Sequence, residues 1–439
     1  MKQFYSKSLN VIFLVPFLTV VFLTSCSKSG SNPAPKSPAP VLAITSLSVN
    51  TGPYNTSVII SGTAFSPTTT SNQVFFNGKA ATVTAATTTQ ITATVPLGAG
   101  TGNVTVSVNN GTAVSGPLFT YQLTAFITTF AGNGKPATID GTGVNASIHG
   151  PSHIAIDGSN NLFITDVYTN SIRKITPDGT VTTLAGGTAG FADGKGAAAQ
   201  FVSPCGLAAD AAGNIYVADG TSEIRKITPD GTVSTFAGQL YSTTEKDGQG
   251  TAASFVSPFG LGFDQSGNLY VADLEGNTIR KITPGGLVST IAGSGKAQTV
   301  NGKGILASFQ NPVCIAVDHN GNIYVGDSFA GTGQGEIRKI TPDTTVTTIV
   351  MPETIGVGVG GITFDNNGVL YISDPTDYRI QAFSTPGVLS IISNSSGSSV
   401  PGPNNTSVTL SPTGVVFDKS GNLFYADDIN NLIMKVTLK

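Results

Sequence analysis

The chain of 439 residues contains no tryptophan, three cysteines and three histidines, and only 11% of it is charged. Three cysteines cannot build a disulfide framework, and no cysteine and histidine stand at zinc-site spacing. A net charge of -3 leaves no basic footprint, which argues against nucleic acid as a partner. Without tryptophan, a sugar-stacking site would have to use tyrosine or phenylalanine. Long apolar runs are missing too, apart from residues 9–23. That run is shorter than the roughly 20 residues a membrane-spanning helix needs, and Pro16 interrupts it. Glycine, by contrast, is abundant at 53 residues, in a chain that is still 39% apolar. This balance reads as an all-β, turn-rich fold with enough apolar mass for a core.

Residues 204–238 organise the rest. They read as four short strands, GLAAD, NIYVAD, EIRKI and TVSTFAG, separated by Asp/Gly/Asn turns. The pattern occurs six times, with its first aspartate at Asp157, Asp210, Asp264, Asp318, Asp365 and Asp418. A four-stranded unit cannot bury both faces alone, whereas units stacked around an axis can. The expectation is a six-bladed β-propeller. The sixth unit stops at Lys439 without an outermost strand, and the missing strand stands before blade one, in residues 126–132. The N-terminal strand of the propeller is therefore expected to close the last blade.

At the start of the chain, Lys2 and Lys7 precede the apolar run as in an export signal. Leu23-Thr24-Ser25-Cys26 resembles a bacterial lipobox, whose cysteine becomes a lipidated N-terminus. The resemblance implies a lipoprotein signal peptide over residues 1–26, lipidation at Cys26 and a membrane partner reached through a lipid anchor. Ser27, rather than aspartate, resembles lipoproteins sent to an outer membrane, facing either the periplasm or the medium. Residues 27–40 are rich in Pro and Ser and should form an extended tether.

Residues 41–123 have a different texture, with five to seven short alternating strands that suggest an immunoglobulin-like sandwich. Gly52-Pro53, Gly62-Thr63-Ala64-Phe65, Val74-Phe75-Phe76-Asn77-Gly78, Val95-Pro96 and Phe119-Thr120-Tyr121 resemble the IPT/TIG family. That family implies a spacer or protein-contact module. Residues 124–439, with IRKITPDGTVTTLAG after D-x-x-G-N-x-Y-V-A-D, resemble the NHL repeat. NHL propellers and their relatives are mostly protein or RNA scaffolds, and a few are metal-dependent lyases or lactonases. The resemblance implies a binding scaffold, with a propeller enzyme of the lyase or lactonase type as the alternative.

A residue repeated in every blade is structural, because a single site would not need it six times. Asp166, Asp219, Asp273, Asp327, Asp374 and Asp427 end the second strands. Arg173, Arg225, Arg280, Arg338, Arg379 and Lys435 sit in the third. These rows are expected to cap turns and bridge neighbouring blades. The D-G-x-G connectors beginning at Asp140, Asp193 and Asp247, and Asn301 in the fourth, carry one carboxylate or none, too few for calcium. They read as turns.

Function should then sit in the departures from the repeat. The connectors into the innermost strands and the loops between second and third strands share one face and vary, while the tight turns opposite hardly do. The second-strand Asp and third-strand Arg are 7, 6, 7, 11 and 5 residues apart in blades one to five. On the variable face the candidate ligand-binding residues are Tyr168, Tyr241, Phe259, Glu275, Phe329 and Tyr378, with His153 beneath them at the channel mouth. No Ser-His-Asp or paired-carboxylate arrangement emerges, and one channel histidine is too few for a metal centre. No catalytic residue, metal or cofactor is expected. The chain reads as a cell-envelope-anchored binding or assembly scaffold that presents its variable propeller face to a protein or polysaccharide partner.

Overall fold

The computed structural model describes residues 39–122, 125–327, 335–349, 358–384, 388–393, 399–401 and 407–438. The export signal with Cys26, most of the tether and the blade-four loop with Phe329 lie outside the described residues.

The first domain is a sandwich of two sheets. One runs Ala43–Leu47, Ser57–Thr63, Gln90–Thr94 and Thr82–Ala86, neighbour by neighbour. The other runs Thr51–Gly52, Val114–Tyr121, Gly102–Val108, Asn72–Phe76 and Lys79–Ala80. Alternation decides the faces: in Ser57–Thr63, Val58 and Ile60 are buried while Ser57 and Ile59 are exposed. The buried set meets in one core around Phe76 and Phe119, whose rings contact edge to face at 5.0 Å. Its residues carry no catalytic chemistry.

Six antiparallel sheets then form the propeller. In blade two the strands, from axis to rim, are Leu207–Ala209, Ile215–Asp219, Glu223–Ile227 and Thr232–Gly238. The innermost strands contact one another in a closed cycle. Blade six contributes Pro412–Phe417, Asn422–Asp427 and Leu432–Leu438, and Ala125–Ala131 is its outermost strand. The pairing runs from Ala125 opposite Leu438 to Ala131 opposite Ile433, with a bulge at Phe130. Blades one to three have the same bulge one residue before their corresponding alanine, so the N-terminal strand is an outer strand of the repeat placed first in the chain.

The connectors do more than turn. In blades one to four each pairs along the rim strand of the blade it enters, as in Gly194–Lys195 against Thr232–Gly238. These blades are therefore five-stranded, and the fifth strand covers an edge that would otherwise be open. The connector crosses to the tight-turn face, where Gly196 N–H donates to the Gly231 carbonyl, and returns through Ala199 and Phe201 in the core between blades. The apolar residue that follows each of these connectors, Ile148, Phe201, Phe255 or Phe309, is fully buried and staples it to the blade.

The third-strand basic row needs correcting. Arg173, Arg225, Arg280 and Arg338 are fully buried and bridge within their own blade rather than to a neighbour. Arg225 donates to Asp219 at 3.0 Å and to connector residue Asp193 at 2.6 Å. The D-G-x-G aspartate is thus the arginine's second partner. Burying a guanidinium is tolerable because it is paired and hydrogen-bonded. In blades five and six, strand register puts Gln381 opposite Ile372 and Met434 opposite Tyr425, where the other blades have arginine. Arg379 stands two residues earlier, opposite Asp374, and Lys435 belongs to the neighbouring lysine row with Lys174, Lys226, Lys281 and Lys339. Counted to Gln381, the blade-five loop has the ordinary spacing of 7 residues rather than 5.

Candidate functional site

The innermost strands meet closely at the axis because glycine occupies one place in four of the six: Gly206, Gly260, Gly361 and Gly414. A side chain at Gly260 would put its Cβ 2.6 Å from the Cα of Cys314, and one at Gly414 would lie 2.7 Å from the Ile154 nitrogen. His153 and Cys314 take this place in blades one and four. The Cys314 side chain is accommodated by Gly326 and packs with Val359 and Ile362, away from solvent. Burial pushes its thiol up to about 12 and that of Cys205 to about 11; both cysteines are free and poor nucleophiles.

His153 reaches the channel and meets the Phe259 ring edge to face at 5.2 Å, so the structure brings these two expected site residues together. The His153 N–H donates to Thr165 Oγ1, and Nδ1 lies 3.1 Å from Ser152 Oγ, but Nε2 is buried without a partner. Desolvation lowers the imidazole to about 4, which keeps it neutral at ordinary pH. The axial cavity below it, lined by His153, Leu261, Cys314 and Ile362 among others, holds about 50 Å³. That is room for water, not for a substrate. Among the described residues no three His, Cys, Asp or Glu side chains gather as a metal centre would require.

The remaining described candidates lie on the loop face. Tyr168 is 72% exposed, yet its ring covers Gly150 and sits 5.0 Å from His149, so packing does account for part of it. Glu275 is exposed beside Gly276. Tyr241 and Tyr378 are 59% and 41% exposed, and both have left-handed backbone, with φ of 51° and 56°. Bulky residues rarely adopt that conformation.

Tyr378 stands at a repeat position whose role only the structure reveals. Asn170, Asn277 and Asn431 occupy it in blades one, three and six, also with positive φ. Each accepts, through its side-chain oxygen, an N–H from the next blade's connector: Ser203, Asn311 and Gly150 respectively. Ser222 in blade two donates instead to the Val256 carbonyl. Tyr378 replaces an inter-blade clamp with an exposed ring.

One further cluster was not expected. The blade-three connector brings Glu245 against Asp273, Thr278 and Arg280; its carboxylate accepts from the Thr278 hydroxyl and lies 3.7 Å from Arg280. Burial raises Glu245 to about 7, and the neighbouring Asp273 carboxylate adds to the shift. A paired-carboxylate contact does therefore exist. Glu245 and Asp273 belong to different segments, and no local motif announces that the connector folds back.

These features define a class, a six-bladed β-propeller with an immunoglobulin-like domain ahead of it in the chain. Residues 42–121 match the family model of the IPT/TIG domain. Over 301 residues, or 57% of this chain, the sequence is 26% identical to NHL repeat-containing protein 2 of Homo sapiens. The chain spans less than half the length of the curated relatives it matches, 41% in the human case. Among solved structures it is similar to a protein of unknown function from Bacteroides thetaiotaomicron, with a TM-score of 0.55 and 17% identity over 92% of this chain and 100% of that one. It is also similar to an auxiliary nutrient binding protein of the same organism, with a TM-score of 0.51 and 14% identity over 90% and 97%. At such identities the likeness establishes the fold.

Proposed function

We propose that the chain is an envelope-anchored binding or assembly scaffold whose propeller presents its loop face to a protein or polysaccharide partner. The observation that carries this reading is the pair of exposed, left-handed tyrosines, Tyr241 and Tyr378. Sparsely populated backbone costs on the order of 1–3 kcal/mol per residue and persists where the surroundings hold it for a use. Tyr378 also forgoes the clamp that asparagine provides in three other blades. Exposed aromatics held on a rigid frame are what anchors a binding interface. The same architecture serves a nutrient binding protein, so the fold is compatible with the role.

Affinity electrophoresis through starch, xylan, pectin and mannan tests the polysaccharide form of the reading. At least one polymer should retard the wild-type chain. Tyr378→Asn and Tyr241→Gly should remove that retardation without lowering the melting temperature, since each relieves backbone strain. Variants that melt lower while retardation persists would show that the tyrosines are structural, and the loop-face assignment would fall.

A further inference from the structure

On the tight-turn face, two side chains recur in the gaps between blades, beside a rim-strand residue such as Phe236 or Leu184. One is the aromatic residue two places into the second strand: Phe163, Tyr216, Tyr270, Tyr324, Tyr371 and Phe424 in blades one to six. The other closes the innermost strand of the following blade. Phe263 packs edge-on against Tyr216 at 5.2 Å, Phe364 against Tyr324 at 4.9 Å and Phe417 against Tyr371 at 4.7 Å. Between blades one and two the filler is Ala209. A cleft of about 260 Å³ opens beside Phe163 and Ile215, the strand partner of Ala209, and is lined as well by Asp157, Asn161, Lys174, Thr228 and Pro229.

The same gap lacks a hydroxyl. In blade four the Tyr324 hydroxyl donates to Asp318 at 3.4 Å, and Lys339 Nζ lies 5.5 Å from the centre of the Tyr324 ring. Tyr270 donates likewise to Asp264, at 3.1 Å. Blade one has Phe163 here, so Asp157 and Lys174 keep their places without the hydroxyl. Asp157 accepts from the Ser159 and Asn161 N–H groups and from the Asn161 amide, which uses three of its roughly four acceptor positions. Lys174 Nζ hangs 5.9 Å over the Phe163 ring and has no hydrogen-bond or ion-pair partner among the described residues.

The blade-one gap thus combines a small filler with a missing hydroxyl; the gap after blade six also lacks the hydroxyl, at Phe424, but Ile156 and Phe130 pack there. We propose that this cleft binds one pyranose residue of a saccharide. A ring hydroxyl takes the phenol's place, donating to Asp157 and accepting from Lys174, and the apolar C–H face lies on Phe163, Leu184 and Pro229. The remaining polar lining suits a ring with several hydroxyls better than a simple phenol. The site is distinct from the loop face and stands on its own observations.

The probes are methyl α-D-glucopyranoside, methyl α-D-mannopyranoside, methyl β-D-galactopyranoside and 4-methylphenol, each in saturation-transfer NMR with the folded chain. At least one glycoside should receive saturation. Ala209→Phe, which restores the blade-three filler, and Phe163→Tyr, which restores the hydroxyl, should each weaken it about tenfold or more, the loss expected for one or two hydrogen bonds. Both introduce residues the repeat already uses, so melting should be unchanged. The two fill-in variants should leave polysaccharide retardation through the loop face intact, which separates this site from the loop-face reading. Saturation of 4-methylphenol alone, of no probe, or of a glycoside equally in both fill-in variants would overturn the proposal.

Discussion

Asp427 is the second-strand aspartate of a blade whose arginine has become Met434, and it has no ion-pair partner among the described residues. Tyr425 fills the space, its hydroxyl buried without a partner. Asp427 accepts only from Asn430 and the Ser411 N–H. Burial raises its carboxyl to about 6, against roughly 3.9 when unfolded. A folded value above the unfolded one means a contribution that is full below about pH 4 and is lost as pH rises through 6. The two-unit gap corresponds to a loss on the order of 2–3 kcal/mol. Asp427→Asn should remove that dependence. Its stability relative to wild type, followed by urea unfolding at pH 4 to 7.5, should improve as pH rises. A difference that stays flat with pH would show that Asp427 is ionised throughout. Asp219→Asn should instead destabilise at neutral pH, by roughly 3–5 kcal/mol, because it strips the carboxylate from a buried guanidinium.

At the scale of the element, the closing strand Ala125–Ala131 bears the ring. Deleting residues 122–132 should expose the edge of Leu432–Leu438 and cause aggregation or a much lower melting temperature, whereas deleting residues 27–121 should not. Equal melting of the two deletions would mean that blade six is complete without it. This strand was legible because FITTFAG repeats TVSTFAG, and a strand's identity follows its pattern rather than its place in the chain. The arginine row was misplaced for a related reason. In YRIQAF the arginine moved two positions, so matching by residue type slipped the register, while spacing from the second-strand aspartate finds Gln381. The Asn clamps, the Glu245–Asp273 contact and the blade-one cleft stayed hidden because each joins segments from separate turns of the repeat. Residues 81–96, whose sequence carries no Gly or Asn turn signal before Pro96, form the hairpin Thr82–Ala86 and Gln90–Thr94.

For the whole molecule, the proposed envelope address turns on Cys26 as the lipidated residue. Cys26→Ala should release the protein from membranes or leave it as an unprocessed precursor, scored by fractionation and mass spectrometry; unchanged membrane association would refute the address. A different consequence follows from Ala125 lying opposite Leu438. The strand that completes the propeller is made first, and its partner is made last, some 300 residues later. At about 5–20 residues per second of synthesis, the early strand waits roughly 15–60 s with its pairing edge bare. No blade can lock the ring during that interval. A chain still threading through a ribosome or a secretion channel therefore remains an open arc until residues 432–438 have emerged to meet the waiting strand.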